Sequence, residues 1–154
     1  MKAPKAAVIL GSKSDLPALP GGEELLQRFG IGYEVIVASA HRQPRKVASF
    51  AGKAEEKGYE VIIAVAGYSA HLAGVVAAHT TLPVIGVPLD GSPLQGVDSL
   101  YSMVMMPAGI PVATVTVGKA GVKNAAVLAA EILALKYPKV KKALIEFRKE
   151  LARG

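Results

Sequence analysis

The stretch Val61-Ile62-Ile63-Ala64-Val65-Ala66 decides the fold. Six apolar residues run without interruption between Gly58 and Gly67. A strand with one wet face alternates apolar and polar residues. An unbroken apolar run of strand length between turn signals reads as a strand covered on both faces. Working outward, Lys5 to Leu10, Tyr33 to Val37, Pro83 to Val87 and Val112 to Val117 read as further strands. Helical stretches lie at 16–29, 44–57, 71–79, 97–105, 124–135 and 140–152. Pro17, Pro20 and the Gly21-Gly22 pair disturb the first helix and place its firm start near Glu23. Strand and helix alternate throughout, which predicts βαβ units: an α/β fold with a central parallel sheet and helices on both faces.

Composition narrows the function. The chain has 154 residues, enough for one domain with a substantial core. There is no cysteine, which excludes disulfides, thiolate metal sites and a cysteine nucleophile. Hydrophobic residues make 51% and charged residues 19%, which excludes intrinsic disorder. Trp is absent and aromatics are 5%, a poor basis for stacking nucleic-acid bases. No run approaches the ~18 apolar residues of a spanning helix. The Met1 to Lys5 opening leads into an apolar run that stops at Gly11, too short for a signal-peptide core. These readings predict a cytoplasmic protein without a membrane or nucleic-acid partner. The surplus of apolar residues predicts a homo-oligomer.

The net charge of +6 is concentrated in the tail, at Lys136, Lys139, Lys141, Lys142, Arg148, Lys149 and Arg153. There Val140, Leu144, Phe147 and Leu151 form one apolar helical stripe, so the charges read as the solvated face of that helix. Pro138 separates it from the preceding helix. The expectation is a catalytic domain over residues 1–137 and an amphipathic helix over 138–154 that packs on a neighbouring subunit.

Ligands of parallel sheets bind beyond the carboxyl ends of the strands. Four loops qualify: Gly11 to Asp15, Ala38 to Arg42, Gly67 to His71, and Leu89 to Ser92. The first has neither the Walker A nor the dinucleotide glycine spacing. Its hydroxyls and backbone N–H groups suit a phosphate and its carboxylate suits ribose. Equally, Ser14 or Asp15 could cap the next helix. In the second loop, His41 offers proton transfer near neutral pH and Arg42 a fork for phosphate or carboxylate. The plainer reading is a capping serine with two surface side chains. His71 stands at a helix start, suited to orient a ligand without trading protons, or else to be satisfied by backbone. His79 reads as structural. The three histidines lack the spacing of a metal motif, and no Gly-x-Ser-x-Gly elbow is present.

Seven segments in order strengthen the loop reading. They are Gly11-Ser12-Lys13-Ser14-Asp15, Ser39-Ala40-His41-Arg42, Ala70-His71-Leu72, Leu82 to Pro88, Asp98-Ser99-Leu100, Met106 to Val115 and Asn124-Ala125-Ala126. Together they resemble the PurE family of purine biosynthesis, over about residues 5 to 135. Class I members are N5-carboxyaminoimidazole ribonucleotide mutases, and class II members are aminoimidazole ribonucleotide carboxylases. The resemblance implies a three-layer αβα sandwich of flavodoxin or Rossmann type, an octamer, and neither metal nor organic cofactor. It implies a ribonucleotide held by Gly11, Ser12 and Asp15, by Ser39, Ala40 and Arg42, and by Gly67, Ser69, Ala70, His71 and Leu72. His41 would be the catalytic residue.

Some positions depart from the family pattern. Class I chains carry Ala-Gly-Gly-Ala-Ala-His in the third loop, where this chain has Ala66-Gly67-Tyr68-Ser69-Ala70-His71. A bulky residue and a serine are reminiscent of class II. Met105 replaces a usual Gln, and Leu16 a usual Trp. Arg42, His71 and Met106-Pro107-Ala108-Gly109 favour the mutase. The alternatives are the CO2-using carboxylase and a non-catalytic nucleotide-binding module on the same fold. The mutase reaction asks for one group that gives and then takes a proton, which suits His41.

Overall fold

A computed structural model describes residues 3–154; Met1 and Lys2, part of the Met1 to Lys5 opening, lie outside the described residues. Five parallel strands form one sheet: β1 (Lys5–Leu10), β2 (Gly32–Val37), β3 (Val61–Ala66), β4 (Val84–Pro88) and β5 (Ala113–Thr114), in the order β2-β1-β3-β4-β5. This is the flavodoxin-like order. The run 61–66 is β3, at the centre of the sheet and buried at all six positions. Alternate residues feed two cores. Val8, Leu10, Ile63, Val65 and Val87 point to the side covered by α1 (Pro20–Arg28), α5 (Lys119–Ala134) and α6 (Pro138–Leu151). Ala7, Ile9, Ile62, Ala64 and Val84 point to the side of α2 (Pro44–Gly52), α3 (Leu72–Ala77) and α4 (Val97–Val104). The three layers follow from the continuous apolar strands.

Several boundaries differ from expectation, each for a local reason. The first helix is preceded by a 3-10 turn, Lys13–Ala18, and α1 begins at Pro20, before the glycine pair. Proline suits the first helical position because its missing N–H would have no partner there. Gly22 lies in the first turn because α5 crosses there: a Cβ would stand 2.6 Å from Val122 Cγ1 and 2.9 Å from its carbonyl oxygen. Helix α2 ends at Gly52, and single turns fill the segment up to Gly58, whose φ of 80° ends it. Strand β5 keeps only two ladder residues of the expected six. It is an edge strand led in by Pro111, and its continuation is tied to β4 by single bonds, Val115 N–H to the Gly86 carbonyl (3.0 Å) and Gly118 N–H to that of Pro88 (2.8 Å). Helix α5 starts five residues earlier than its alanine-rich stretch suggests, at Lys119.

The tail is an amphipathic helix, and its inner face is covered within its own chain. Pro138 opens α6 as its first helical residue and the helix turns back onto its own chain. Val140 and Leu144 are buried at 1% and 7% exposure. Phe147 meets Phe29 edge-on, with ring centroids 5.4 Å apart. Arg28 pairs with Glu150 at 2.6 Å and Arg148 with Glu131 at 2.7 Å. Of the stripe, Leu151 alone stays open, at 60%. Among the described residues no helix is long and apolar enough to cross a membrane.

Candidate active site

In a 2-1-3-4-5 sheet the chain leaves β1 and β3 toward opposite faces, and a crevice opens between their carboxyl ends. The loops that meet there hang from paired backbone. Gly11 N–H donates to the Val65 carbonyl (3.1 Å), Ala38 N–H to that of Leu10 (2.9 Å) and Leu89 N–H to that of Ala66 (2.9 Å). The ladder thus extends one residue past each strand end. A cavity of about 440 Å3 lies between them. It brings together every residue expected from the sequence: Gly11, Ser12, Asp15, Ser39, Ala40, His41, Arg42, Gly67, Ser69, Ala70, His71 and Leu72. The fourth loop does not join them. Its Ser92 hydroxyl donates to Asp98 (2.8 Å) and accepts from Leu94 N–H (3.1 Å), ordering the approach to α4.

The first loop is a cap and a cradle at once. Ser12, rather than Ser14 or Asp15, is the N-cap of the 3-10 turn. Its hydroxyl accepts from Ser14 N–H (3.3 Å), while Asp15 reaches back to accept from Ser12 N–H (3.0 Å). The Ser14 hydroxyl donates to that of Ser12 (2.8 Å). Burial pushes the Asp15 carboxyl above the usual carboxylate range, and its bonds from Ser12 N–H and the Ser14 hydroxyl pull it partly back. A carboxylate in that position gains from any further hydrogen-bond donor that enters the cavity.

In the second loop the Ser39 carbonyl accepts from Gln43 N–H (2.8 Å) and the Ser39 hydroxyl from Arg42 N–H (3.2 Å). That closes a single turn and turns His41 and Arg42 out of the sheet. Both are exposed, and Arg42 makes no ion pair among the described residues.

The third loop sets His71. The Ser69 carbonyl accepts from His71 N–H (2.7 Å) and lies 2.8 Å from its Nδ1. A carbonyl only accepts, so Nδ1 carries the hydrogen and Nε2 is left as an acceptor in the neutral ring. The His41 and His71 rings meet edge-on, with centroids 5.0 Å apart and planes at 65°. Two histidines from different loops therefore face one cavity. His79 is apart from them, with Nδ1 2.8 Å from the Val75 carbonyl at the end of α3. Among the described residues no three His, Asp or Glu side chains gather as metal ligands.

The cavity also takes in Ser14, Ala66 and Tyr68, which sequence reasoning left out of the site. Ser14 was visible as a possible cap and as one of the first loop's two hydroxyls. Tyr68 carried a signal in its departure from glycine.

Comparison with known proteins agrees with this geometry. The model of a family described as AIR carboxylase matches residues 5–154. The chain belongs to that family. A Thermotoga maritima relative named N5-carboxyaminoimidazole ribonucleotide mutase is 51% identical over 150 residues, 97% of this chain and 86% of the relative. Mutases of that name from Pseudomonas aeruginosa (55% over 141 residues, 92% and 86% covered) and Escherichia coli K12 (50% over 145 residues, 94% and 86% covered) are similar. The crystal structure of Treponema denticola PurE superposes with a TM-score of 0.88 at 30% identity, covering 97% of this chain and 92% of that one. The family's fold, a parallel sheet between helical layers, is therefore that of this chain.

Proposed function

We propose that the chain is a purine-biosynthetic isomerase that converts N5-carboxyaminoimidazole ribonucleotide into 4-carboxyaminoimidazole ribonucleotide. The observation that carries this reading is the His41–His71 pair, 5.0 Å apart at the β1/β3 crevice, in a chain about half identical to proteins named as mutases. Net transfer moves a carboxylate from an exocyclic nitrogen to the neighbouring ring carbon. In the first half the N–C bond of the carbamate breaks and its electron pair returns to nitrogen, which takes a proton. CO2 is freed in the cavity. In the second half the electron-rich ring carbon attacks CO2, a C–C bond forms, and the same carbon gives up its proton to restore aromaticity. One acid that becomes a base serves both halves, and His41 is assigned that role. His71 lines the same cavity, and its Nδ1 bond to the Ser69 carbonyl leaves Nε2 as the free acceptor of the neutral ring. Ser12, Ser14, Asp15 and Arg42 hold the ribose phosphate.

The test supplies purified protein with either carboxylated isomer. Interconversion without added bicarbonate supports the mutase. Carboxylation of aminoimidazole ribonucleotide that depends on bicarbonate or CO2 would replace it with the carboxylase, and binding without turnover with a non-catalytic module.

Self-association is part of the same reading. Val97, Tyr101 and Val104 recur at i, i+4 and i+7 on the outer face of α4, flanked by Leu94 and Met105, and all five are exposed. Tyr101 is 63% and Met105 78% open. A contiguous apolar stripe of that size calls for a partner, and a second copy of the chain, in the octamer implied by the family, fits it. Sedimentation of Tyr101→Asp would show a smaller particle than the parent. A parent that sediments as a monomer would refute it.

A further inference from the structure

Tyr68 stands where neither the backbone nor the core has a use for it. Its φ is +56°, in the left-handed region that glycine occupies freely and a bulky side chain does not. Among the described residues only Gln95 shares that condition without being glycine. The turn itself has a function: with Tyr68 turned this way its carbonyl accepts from Ala70 N–H (2.8 Å), and the next carbonyl, of Ser69, is delivered to His71. Glycine would make the same turn at less cost. Packing does not account for the ring either, because Tyr68 is 59% exposed. Its hydroxyl has no hydrogen-bond partner among the described residues. What the ring does have is position. It lines the cavity while facing solvent, so it stands at the rim, on the loop that carries His71. Backbone strain at such a place points to a side chain retained for the site.

We propose that Tyr68 is the cover of the reaction chamber, its ring closing over the bound aminoimidazole while CO2 is free. The inference rests on the mutase reading. Between the breaking of the N–C bond and the making of the C–C bond, CO2 has no covalent tie and offers few polar contacts. Retention then depends on shape and on the exclusion of water. An aromatic ring over a planar heterocycle supplies both, through offset stacking and a large apolar area. Gly67, behind it, is closed by Leu89, whose Cβ and carbonyl oxygen lie 3.5 and 3.6 Å from the place of a Cβ. That side of the loop is therefore backed by protein, whereas the rim where Tyr68 stands is open to solvent.

The experiment measures leakage. Purified protein is given unlabelled N5-carboxyaminoimidazole ribonucleotide in 13C-bicarbonate buffer with carbonic anhydrase, beside a protein-free control. Label in the 4-carboxylated product and free aminoimidazole ribonucleotide per turnover are both counted. The parent and Tyr68→Phe, which keeps the ring, should transfer the unlabelled carboxylate with little of either. Tyr68→Gly, which suits the turn and removes the ring, should raise both at least tenfold, at a melting temperature and sedimentation equal to the parent's. Tyr68→Asn, which also tolerates the left-handed turn, is the second ring-free variant. Leakage within twofold of the parent in both ring-free variants would overturn the proposal. So would a smaller particle in either, which would make Tyr68 a subunit contact. A parent that interconverts nothing would instead overturn the mutase reading on which it rests.

Discussion

At the scale of the residue, His41 and Asp15 can be tested apart. A proton shuttle acts on transition states, so His41→Asn should lose ~10²–10⁴-fold in turnover while ribotide binding stays measurable by calorimetry. Turnover within threefold of the parent would remove His41 from the role. Asp15 tests the tension between stability and function. Its carboxyl binds a proton more tightly in the folded chain than in the unfolded one, where 3.8 is usual. That preference favours folding below the unfolded value and is lost as pH rises through the raised one. Ionised Asp15 is thus a burden at neutral pH. Asp15→Asn should melt at or above the parent's temperature there, with the difference vanishing in acid below 3.8, while ribotide affinity falls by roughly 1.5–3 kcal/mol. A lower melting point at neutral pH would make the capping contact the residue's main purpose. The loops holding both residues were legible because strand-end position and small residues mark a site in any parallel sheet. Tyr68 was not, since its meaning lies in a backbone angle that no spacing encodes.

At the scale of the element, the edge strand β2 is fastened by side chains as well as by its ladder. Its Glu34 pairs with Lys5 at 2.6 Å and accepts from the Tyr59 hydroxyl. Lys5 chiefly, and then Tyr59, hold the Glu34 carboxyl below its usual range. Burial, aided by that carboxylate, pushes the Tyr59 hydroxyl up to about 12. The sign runs opposite to that of an acid with a lowered value. The stability from neutral Tyr59 is full below its usual 10.0 and is lost as pH rises through about 12. Urea midpoints of the parent should therefore fall faster over that interval than those of Tyr59→Phe. Parallel curves would show that the hydroxyl contributes nothing to holding the edge. Strands covered on both faces were readable in advance from their unbroken apolar runs, as β1 and β3 are. The two-residue β5 and the early start of α5 were not. The early turns of α5 press Gly121 against the continuation of β5, where a Cβ would come within 1.8 Å of the Thr116 carbonyl oxygen. That contact exists only once the chain has folded.

At the scale of the whole molecule, chemistry and framework occupy different parts of the chain. Every residue lining the candidate site lies between Gly11 and Leu72. The later elements complete the sheet, supply the exposed stripe of α4 and close the core beneath α6. Deleting residues 138–154 should therefore do more than trim a tail. Val140, Leu144 and Phe147 bury ~1.5–3 kcal/mol each before entropy is subtracted, against a total margin of about 5–15 kcal/mol for a domain. The truncated chain should lose its cooperative melt by circular dichroism. An unchanged transition would mean that α5 covers the core unaided. Hydrophobic period alone showed that α6 has a face to bury. The partner was legible only in the fold, because Phe29 and Arg28, more than a hundred positions earlier, are what it meets.

The crevice at β1 and β3 comes from connectivity, not from a movable flap, and that bears on the speed of encounter. Abolishing it would mean unpairing the two strands at the heart of the sheet, and the Tyr68 ring, exposed at the rim, covers it only over bound substrate, so an arriving ribotide finds the opening present at each collision. On the proposed function no rare open form has to be waited for, and capture would be paced by diffusion, orientation and the pull of Arg42 on a phosphate. Raising the ionic strength should slow the association step while leaving its independence from any slow gating motion intact.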